Sequence, residues 1–273
     1  MEREITNEEL VSLSSAILTR YDVDFTGYEL QSFKRRISRA LSVFGLDSTH
    51  SLWIKLLKER DFIYPLTDEI TVGLTAMFRD PVLWTKLSRS VLRALNKKDP
   101  IRIWHAGCST GEEVYTMGIV LDEIKLRERA VVWATDINSQ ALEKAKEGKY
   151  AALKIPEYAA NYKEFNPFRR FERYYTLQQE VAQFDPALVH QVGFQYHNLV
   201  AHPVTEKFDL ILCRNVMIYL DTKAKLKLLE QIYHSLNEGG FFVIGFYDAL
   251  VPLIDNRMFS FYDMEAKIFQ RKS

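Results

Sequence analysis

Residues 101–113 read IRIWHAGCSTGEE, and this stretch decides the fold. A strand-length run of mostly apolar residues ends at Gly107, and a second glycine, Gly111, is followed at once by Glu112 and Glu113, acids that suit the first turn of a helix. Strand, glycine turn and helix start in direct succession expose backbone N–H groups and let a ligand approach the main chain. In open α/β sheets, ligands sit at this end of the strands. The same texture continues downstream: apolar runs at 130–135, 193–197, 208–213 and 241–246 alternate with helical patterns near 112–127, 138–147 and 222–236. That alternation predicts an α/β fold with a mostly parallel sheet wrapped by helices. Two last runs, 259–262 and 267–270, flank a polar turn and predict an antiparallel hairpin at the sheet edge.

Upstream of this region the pattern is helical. Thr6 and Glu9 have capping-box spacing, and Leu10, Leu13, Ile17 and Leu18 follow on one helical face. Leu30, Phe33, Ile37, Leu41 and Phe44 mark a second helix, closed by Gly45, and Leu52, Trp53, Leu56 and Leu57 a third. Pro81 suits the first turn of a longer helix to about Leu95, and NKKDP at 96–100 marks a boundary. The expected organisation is a helical unit at 1–72, a segment with a linker helix at 73–100 and an α/β domain at 101–273. Residues 149–192, with Pro156, Pro167 and Pro186 among many aromatic and basic residues, read as an insert or a lid over the ligand cleft.

Composition narrows the function. Lys plus Arg and Asp plus Glu number 36 each, a balance that argues against a general nucleic-acid binder. The acidic, polar start MEREITNEELVS is unlike a secretory signal, and no apolar run approaches a bilayer span of about 20 residues, so the cytoplasm is the expected location. Cys108 and Cys213 lie outside any CxxC pattern, so neither a disulfide framework nor a metal site is expected.

Three further features carry chemistry. The second strand ends in Asp136, where an acid can hydrogen-bond the two hydroxyls of a ribose; capping of the following helix by Asp136, in competition with Asn138, is an equal alternative. The run 208–219, FDLILCRNVMIY, delivers Arg214, Asn215 and Tyr219 to the same end of the sheet as Gly107 and Asp136. Gly107-x-Ser109-x-Gly111 also matches a hydrolase nucleophile elbow, but the preceding 100 residues look helical and His234 falls inside a predicted helix, so that reading is weak. A dinucleotide site is disfavoured, since GxGxxG is absent.

Together, TDEITVGLTAMFRDP, WHAGCSTGEEVYTMG, ATDINSQALEKAKEGKY, YHNL and FDLILCRNVMIYLD, with YDVDFTGY and RRI upstream, resemble the CheR family of chemotaxis protein-glutamate O-methyltransferases. The resemblance covers nearly the whole chain. It implies a Rossmann-like class I methyltransferase sheet behind an all-α receptor-docking domain, S-adenosylmethionine as cofactor, S-adenosylhomocysteine as product, and a monomer that binds the cytoplasmic helical domain of a chemoreceptor. It further implies a cofactor site formed by Gly73, Thr75, Arg79, Ala106, Gly107, Glu112, Glu113, Asp136, Ile137, Asn198, Leu199, Arg214 and Asn215, with Arg79 and Tyr219 at the reacting groups. Lys34, Arg35, Arg36 and Arg39 would dock the acidic receptor; a solvated helix face is the plainer reading of the same run.

The chain departs from the family pattern at several positions. Gly73 replaces Asn, Met77 an aromatic, Val114 a proline, and Gly-Phe-Tyr-Asp at 245–248 stands where Gly-His-Ser-Glu is common. The insert also lacks the glycines of receptor-tethering relatives, so peptide tethering is not expected. The second reading these departures leave is a catalytically weak or inactive cofactor-binding scaffold.

Overall fold

Four helices open the chain in the computed structural model, which describes residues 5–71, 73, 75–248 and 253–272. Thr6 and Glu9 form the expected capping box of α1 (Asn7–Tyr21), and α2 (Leu30–Phe44) ends at Gly45, whose φ of 64° is the left-handed stop a glycine permits. With α3 (Thr49–Lys58) and α4 (Ile63–Ile70) they bury one shared core of Leu10, Ile17, Phe33, Ile37, Leu52, Leu56 and Leu66. The next helical run starts on Pro81 and ends on Leu95 as expected, but it is interrupted: α5 (Pro81–Lys86) and α6 (Leu92–Leu95) flank a π-helical stretch, Leu87–Val91.

The sheet then forms in the predicted order. β1 (Ile101–Ala106), α7 (Glu112–Glu123), β2 (Ala130–Asp136) and α8 (Ser139–Glu147) lead into an insert of β3 (Lys149–Ala151), α9 (Ile155–Phe165), β4 (Tyr175–Gln178) and β5 (Val181–Phe184). After it come β6 (Val192–Tyr196), β7 (Phe208–Cys213), α10 (Thr222–Ser235), β8 (Leu236–Ile244), β9 (Phe259–Asp263) and β10 (Ile268–Arg271). The main sheet has the order β6-β2-β1-β7-β8-β10-β9, with β10 antiparallel to both its neighbours and the first five strands parallel. All six residues of β7 are buried, the pattern of a central strand covered by helices on both faces. The chain winds outward from β1 in one direction and from β7 in the other, leaving a crevice between their carboxyl ends. This is the expected Rossmann-like, mostly parallel sheet with an antiparallel edge hairpin.

Two expectations need correction. β8 spans 236–244 rather than 241–246, because at Gly245 the chain turns and its N–H is taken by the Asp248 carboxylate at 2.8 Å. The insert is also not a lid. It builds its own antiparallel sheet, β3-β5-β4, and is fastened to the outer side of α7. There the Glu123 carboxylate accepts from Tyr162, from Tyr174 at 3.1 Å and from Asn166 at 2.5 Å, while Asn161 donates to the Met77 carbonyl at 3.0 Å. Phe78, left-handed at φ 53°, packs its ring against Tyr162 and Phe165. The insert therefore buttresses the segment that carries Arg79 from behind.

Close packing at the foot of this buttress is testable. A methyl group added at Gly118 of α7 would overlap the Leu188 carbonyl oxygen, whereas one added at Gly193 of β6 meets nothing nearer than 3.8 Å. Gly118→Ala is expected to destabilise the fold by about 1–3 kcal/mol in urea unfolding, and Gly193→Ala to change it by no more than about 1 kcal/mol. Equal midpoints for the two variants would contradict this packing.

Candidate active site

The crevice holds a cleft of about 360 Å³, within the roughly 300–1,000 Å³ usual for small-molecule sites. Its floor is the glycine turn, where Gly107, Ser109 and Gly111 take φ of 85°, 48° and 90°. The turn does not present a row of free amides. Gly107 and Cys108 N–H both donate to the Thr135 carbonyl, at 2.8 and 2.9 Å, and Ser109 N–H donates to Asp136 Oδ2 at 2.8 Å. What the glycine supplies is closeness: a Cβ at Gly107 would collide with Val216, the residue that packs over the turn. Ser109 shares the strained backbone of a nucleophile elbow, but His234 lies in α10 and does not line the cleft.

Asp136 and Asn138 divide the two roles open at the end of β2. Asn138 caps α8, its Oδ1 accepting from Gln140 and Ala141 N–H at 3.0 Å each. Asp136 faces the cleft, its Oδ1 accepting from Asn138 N–H at 2.9 Å. Burial pushes its carboxyl above the ordinary aspartate value, against the pull of these backbone donors.

The opposite wall is an ion network around a buried guanidinium. Arg214 Nη1 donates to Glu113 Oε2 at 2.7 Å, and Nη2 donates to Asp80 Oδ2 at 2.6 Å and to the Arg79 carbonyl at 3.2 Å. Glu113 Oε1 lies 2.7 Å from His105 Nδ1; an ionised carboxylate only accepts, so that nitrogen carries the proton. Trp84 Nε1 also donates to the Arg79 carbonyl, at 3.0 Å, which fixes the backbone of Arg79 over the cleft.

The remaining wall comes from the N-terminal helices. Asp24, Gly27 and Tyr28, together with Asp68 and Thr71 at the end of α4, line the cleft. Backbone bonds stitch them in place: Glu29 N–H donates to the Tyr219 carbonyl at 2.8 Å, and Asp221 N–H to the Gly27 carbonyl at 2.9 Å. Asn138 Nδ2 donates to Asp68 Oδ1 at 2.6 Å and to Thr71 Oγ1 at 3.1 Å, and the Tyr28 and Tyr219 rings stack 6.4 Å apart. None of these N-terminal residues was singled out individually from the sequence. The signal for them lay only in whole segments, YDVDFTGY for Asp24, Gly27 and Tyr28 and TDEITVGLTAMFRDP for Asp68 and Thr71. His197 and Lys144 were missed as well.

Of the expected cofactor residues, Gly73, Thr75, Arg79, Gly107, Glu113, Asp136, Ile137, Asn198, Leu199, Arg214 and Asn215 line the cleft together with Tyr219; Val72 and Leu74 of the same motif lie outside the described residues. Ala106 and Glu112 do not line it. Ala106 packs into the core behind the sheet. Glu112 is 0% exposed and points toward the insert, accepting from Tyr158 at 3.1 Å and Lys154 at 3.4 Å. Neighbouring helix positions are about 100° apart, so only one of two adjacent acids can face the cleft. Asn198 serves as scaffold, its Oδ1 accepting from Val200 and Ala201 N–H at 2.9 and 3.0 Å. The four basic residues of α2 also divide. Arg35 and Arg39 are exposed, with Arg39 paired to Glu69 at 3.1 Å, while Lys34 is half-buried and Arg36 lies 5.7 Å over the Tyr219 ring.

These donors and acceptors suit a sulfonium amino acid carrying adenosine. Asp24, Asp68, Glu113 and Asp136 face Arg79, Lys144 and Arg214, a balance that fits a ligand with two positive groups and one carboxylate. Both ring nitrogens of His197 and Nε of Arg214 are buried without protein partners. Burial lowers the His197 pKa to about 4, so a neutral imidazole faces the ligand. Gly73 leaves room, its nearest neighbour for an added Cβ being Ser109 Oγ at 3.4 Å. Among the described residues no group of three His, Cys, Asp or Glu could hold a metal ion, and no helix is long and apolar enough to cross a membrane.

The network also governs acid stability. Burial pushes the Glu113 carboxyl up, but Arg214 and His105 outweigh it and bring the pKa from 4.5 down to about 2. Its stabilisation is complete above pH 4.5 and is lost as the pH falls through about 2. Glu113→Gln is expected to lose about 3 kcal/mol at pH 7, the gap to the parent closing between pH 4.5 and 2 in urea titrations. A gap constant across that window would refute the pairing.

Comparison with known proteins agrees with the site. Residues 73–268 match the family described as CheR methyltransferase, SAM binding domain. The putative methyltransferase Cher3 of Pseudomonas putida is 37% identical over 240 residues, covering 88% of both chains. The chemotaxis protein methyltransferase of Borreliella burgdorferi is 29% identical over 259 residues, again 88% of both, and chemotaxis protein methyltransferase 1 of Vibrio cholerae is 30% identical over 232 residues, 81% of this chain and 82% of that one. The chain belongs to the CheR family of S-adenosylmethionine-dependent methyltransferases.

Proposed function

We propose that the protein esterifies glutamate side chains of a chemoreceptor or similar signalling protein. The observation that carries this reading is the gathering of Arg36 and Arg79 around Tyr219, a residue that lines the cleft. Burial raises the Tyr219 hydroxyl pKa, while the nearby guanidiniums of Arg36, 5.7 Å over its ring, and Arg79 pull it down, so two cations stand beside this hydroxyl. Two guanidiniums beside one hydroxyl suit the approach of a carboxylate. With a reference pKa near about 4.3, a glutamate is already ionised at neutral pH and needs no base to become a nucleophile.

When bound, S-adenosylmethionine supplies an electrophilic methyl carbon on a sulfonium. The protein's own contribution is alignment and exclusion of water, effects that can supply on the order of 7–11 kcal/mol. In this reading Asp136 and Ile137 hold the ribose side, Glu113 and Arg214 form the inner wall, and Thr75 and Arg79 cover the amino-acid end. Arg79 and Tyr219 steer the incoming carboxylate, and the stacked Tyr28 and Tyr219 rings screen the reacting atoms from solvent. Asp248 keeps the turn after β8 anchored to Asn215, and Gly73 leaves space in the cleft, so both departures from the family pattern are compatible with the active reading.

Docking is assigned to the exposed Arg35 and Arg39 on α2, in keeping with the chemotaxis names of the relatives from Borreliella and Vibrio. Arg36 is turned toward the chemistry instead.

Labelled methyl donor incubated with chemoreceptor membranes should give protein-bound label that alkali releases as methanol, the signature of an ester; alkali-stable label would rule out carboxylate transfer. Arg79→Ala should cut turnover by about 10²–10³-fold with an unchanged circular dichroism spectrum, and near-normal turnover would remove it from the mechanism. Reversing Arg35 and Arg39 to Glu should weaken receptor methylation and flatten its salt dependence; if both stay as in the parent, α2 is not the docking face.

A further inference from the structure

The turn that ends β8 carries two large rings with no place in the core. Residues 245–248 form a tight turn closed by Asp248 N–H donating to the Gly245 carbonyl at 3.1 Å. The buried Asp248 carboxylate then accepts from Gly245 N–H at 2.8 Å and from Asn215 N–H at 2.7 Å. Gly245 sits so close that a Cβ there would lie 2.7 Å from Asn215 N. The turn is thus clamped to a residue that lines the cleft, at the end of the sheet from which Arg214 and Asn215 project.

On the tip of this clamped turn, Phe246 is 61% and Tyr247 69% exposed, their rings edge to face at 5.4 Å. The Lys267 ammonium lies 5.9 Å over the Phe246 ring and adds a cation to the same rim. The exposure is not the fraying of a loose loop, because three hydrogen bonds fix the turn's backbone. A fixed aromatic pair that leaves most of its surface in water is suited to contact with a partner, since such rings bury large areas at small entropic cost. Neither ring lines the cleft, so the occupant is not the cofactor. Because their turn is bonded to Asn215, a residue of the cleft lining, a partner segment held by the rings would lie beside the cleft.

We propose that Phe246 and Tyr247 are specificity-determining residues that grip an apolar side chain of the protein substrate close in sequence to the accepting carboxylate. This rests on the proposed transfer to a protein carboxylate and adds a selection rule to it: an acidic residue with an apolar neighbour is preferred over the same residue among polar ones. The family pattern's His-Ser at these two positions would not make that selection.

The test uses the full chain and two synthetic peptides of equal length, each with a single glutamate flanked either by leucines or by serines. Affinities are measured by calorimetry with S-adenosylhomocysteine present, so the readout does not need turnover. The parent should bind the leucine-flanked peptide about tenfold more tightly. The F246S/Y247S double variant should lose that preference while its S-adenosylhomocysteine affinity stays unchanged, and F246L/Y247L should retain most of it. Absence of preference in the parent, or its persistence in F246S/Y247S, overturns the inference. Transfer of labelled methyl to the bound peptide is scored separately: tight, leucine-selective binding without transfer would defeat the proposed function and leave the aromatic grip standing.

Discussion

A guanidinium 3% exposed to solvent holds the site together. Arg214 leaves the end of β7 and joins three parts of the chain that are remote in sequence: the first turn of α7 through Glu113, the start of α5 through Asp80, and the backbone of Arg79. Desolvating such a charge costs several kcal/mol unless its donors are matched. Here two carboxylates and a carbonyl take up its Nη1 and Nη2 donors, leaving Nε without a protein partner, and His105 secures the second oxygen of Glu113. Because the planar donors of arginine fix direction as well as distance, the segment at 77–80 can sit in only one place relative to the sheet. The position of Arg79 follows from that constraint.

Around this anchor the molecule is arranged in support of a single crevice. The insert lies behind the 77–80 segment and presses Phe78 into an aromatic nest, while the N-terminal helices close the front through backbone bonds at Gly27, Glu29, Tyr219 and Asp221. The cleft is thereby walled by parts of the chain on both sides of residue 73, and its electrostatics combine them: Asp24 and Asp68 come from one side, Glu113 and Asp136 from the other.

Much of this was legible in the sequence because local physics determines it. The strands are short apolar runs because parallel strands are covered on both faces, the capping box at Thr6 and the stop at Gly45 follow from backbone donors and φ, and Gly107, Asp136 and Arg214 mark the carboxyl ends of strands. What was not legible depends on distant partners. Which of Glu112 and Glu113 faces the cleft is set by Tyr158 and Lys154 on one side and Arg214 on the other. The early end of β8 depends on Asp248 reaching back for two amides. The composition of the insert left a subdomain and a lid both open, and it is the three donors to Glu123, with Asn161 on the Met77 carbonyl, that fasten it away from the cleft. The wall formed by Asp24, Gly27 and Tyr28 lies in the YDVDFTGY segment, but no single residue of it announces a role, since it acts through position and main-chain bonding.

The stitching between the N-terminal helices and the loop after β7 has an evolutionary consequence. The matched SAM-binding domain begins at residue 73, yet the cleft is lined as well by the tyrosine, glycine and carboxylates that precede it. A genetic rearrangement that moved the sheet alone into another protein would transplant a cleft lacking one of its walls. The smallest heritable unit of this enzyme is therefore larger than its most recognisable part, and the helices ahead of the sheet must travel with it.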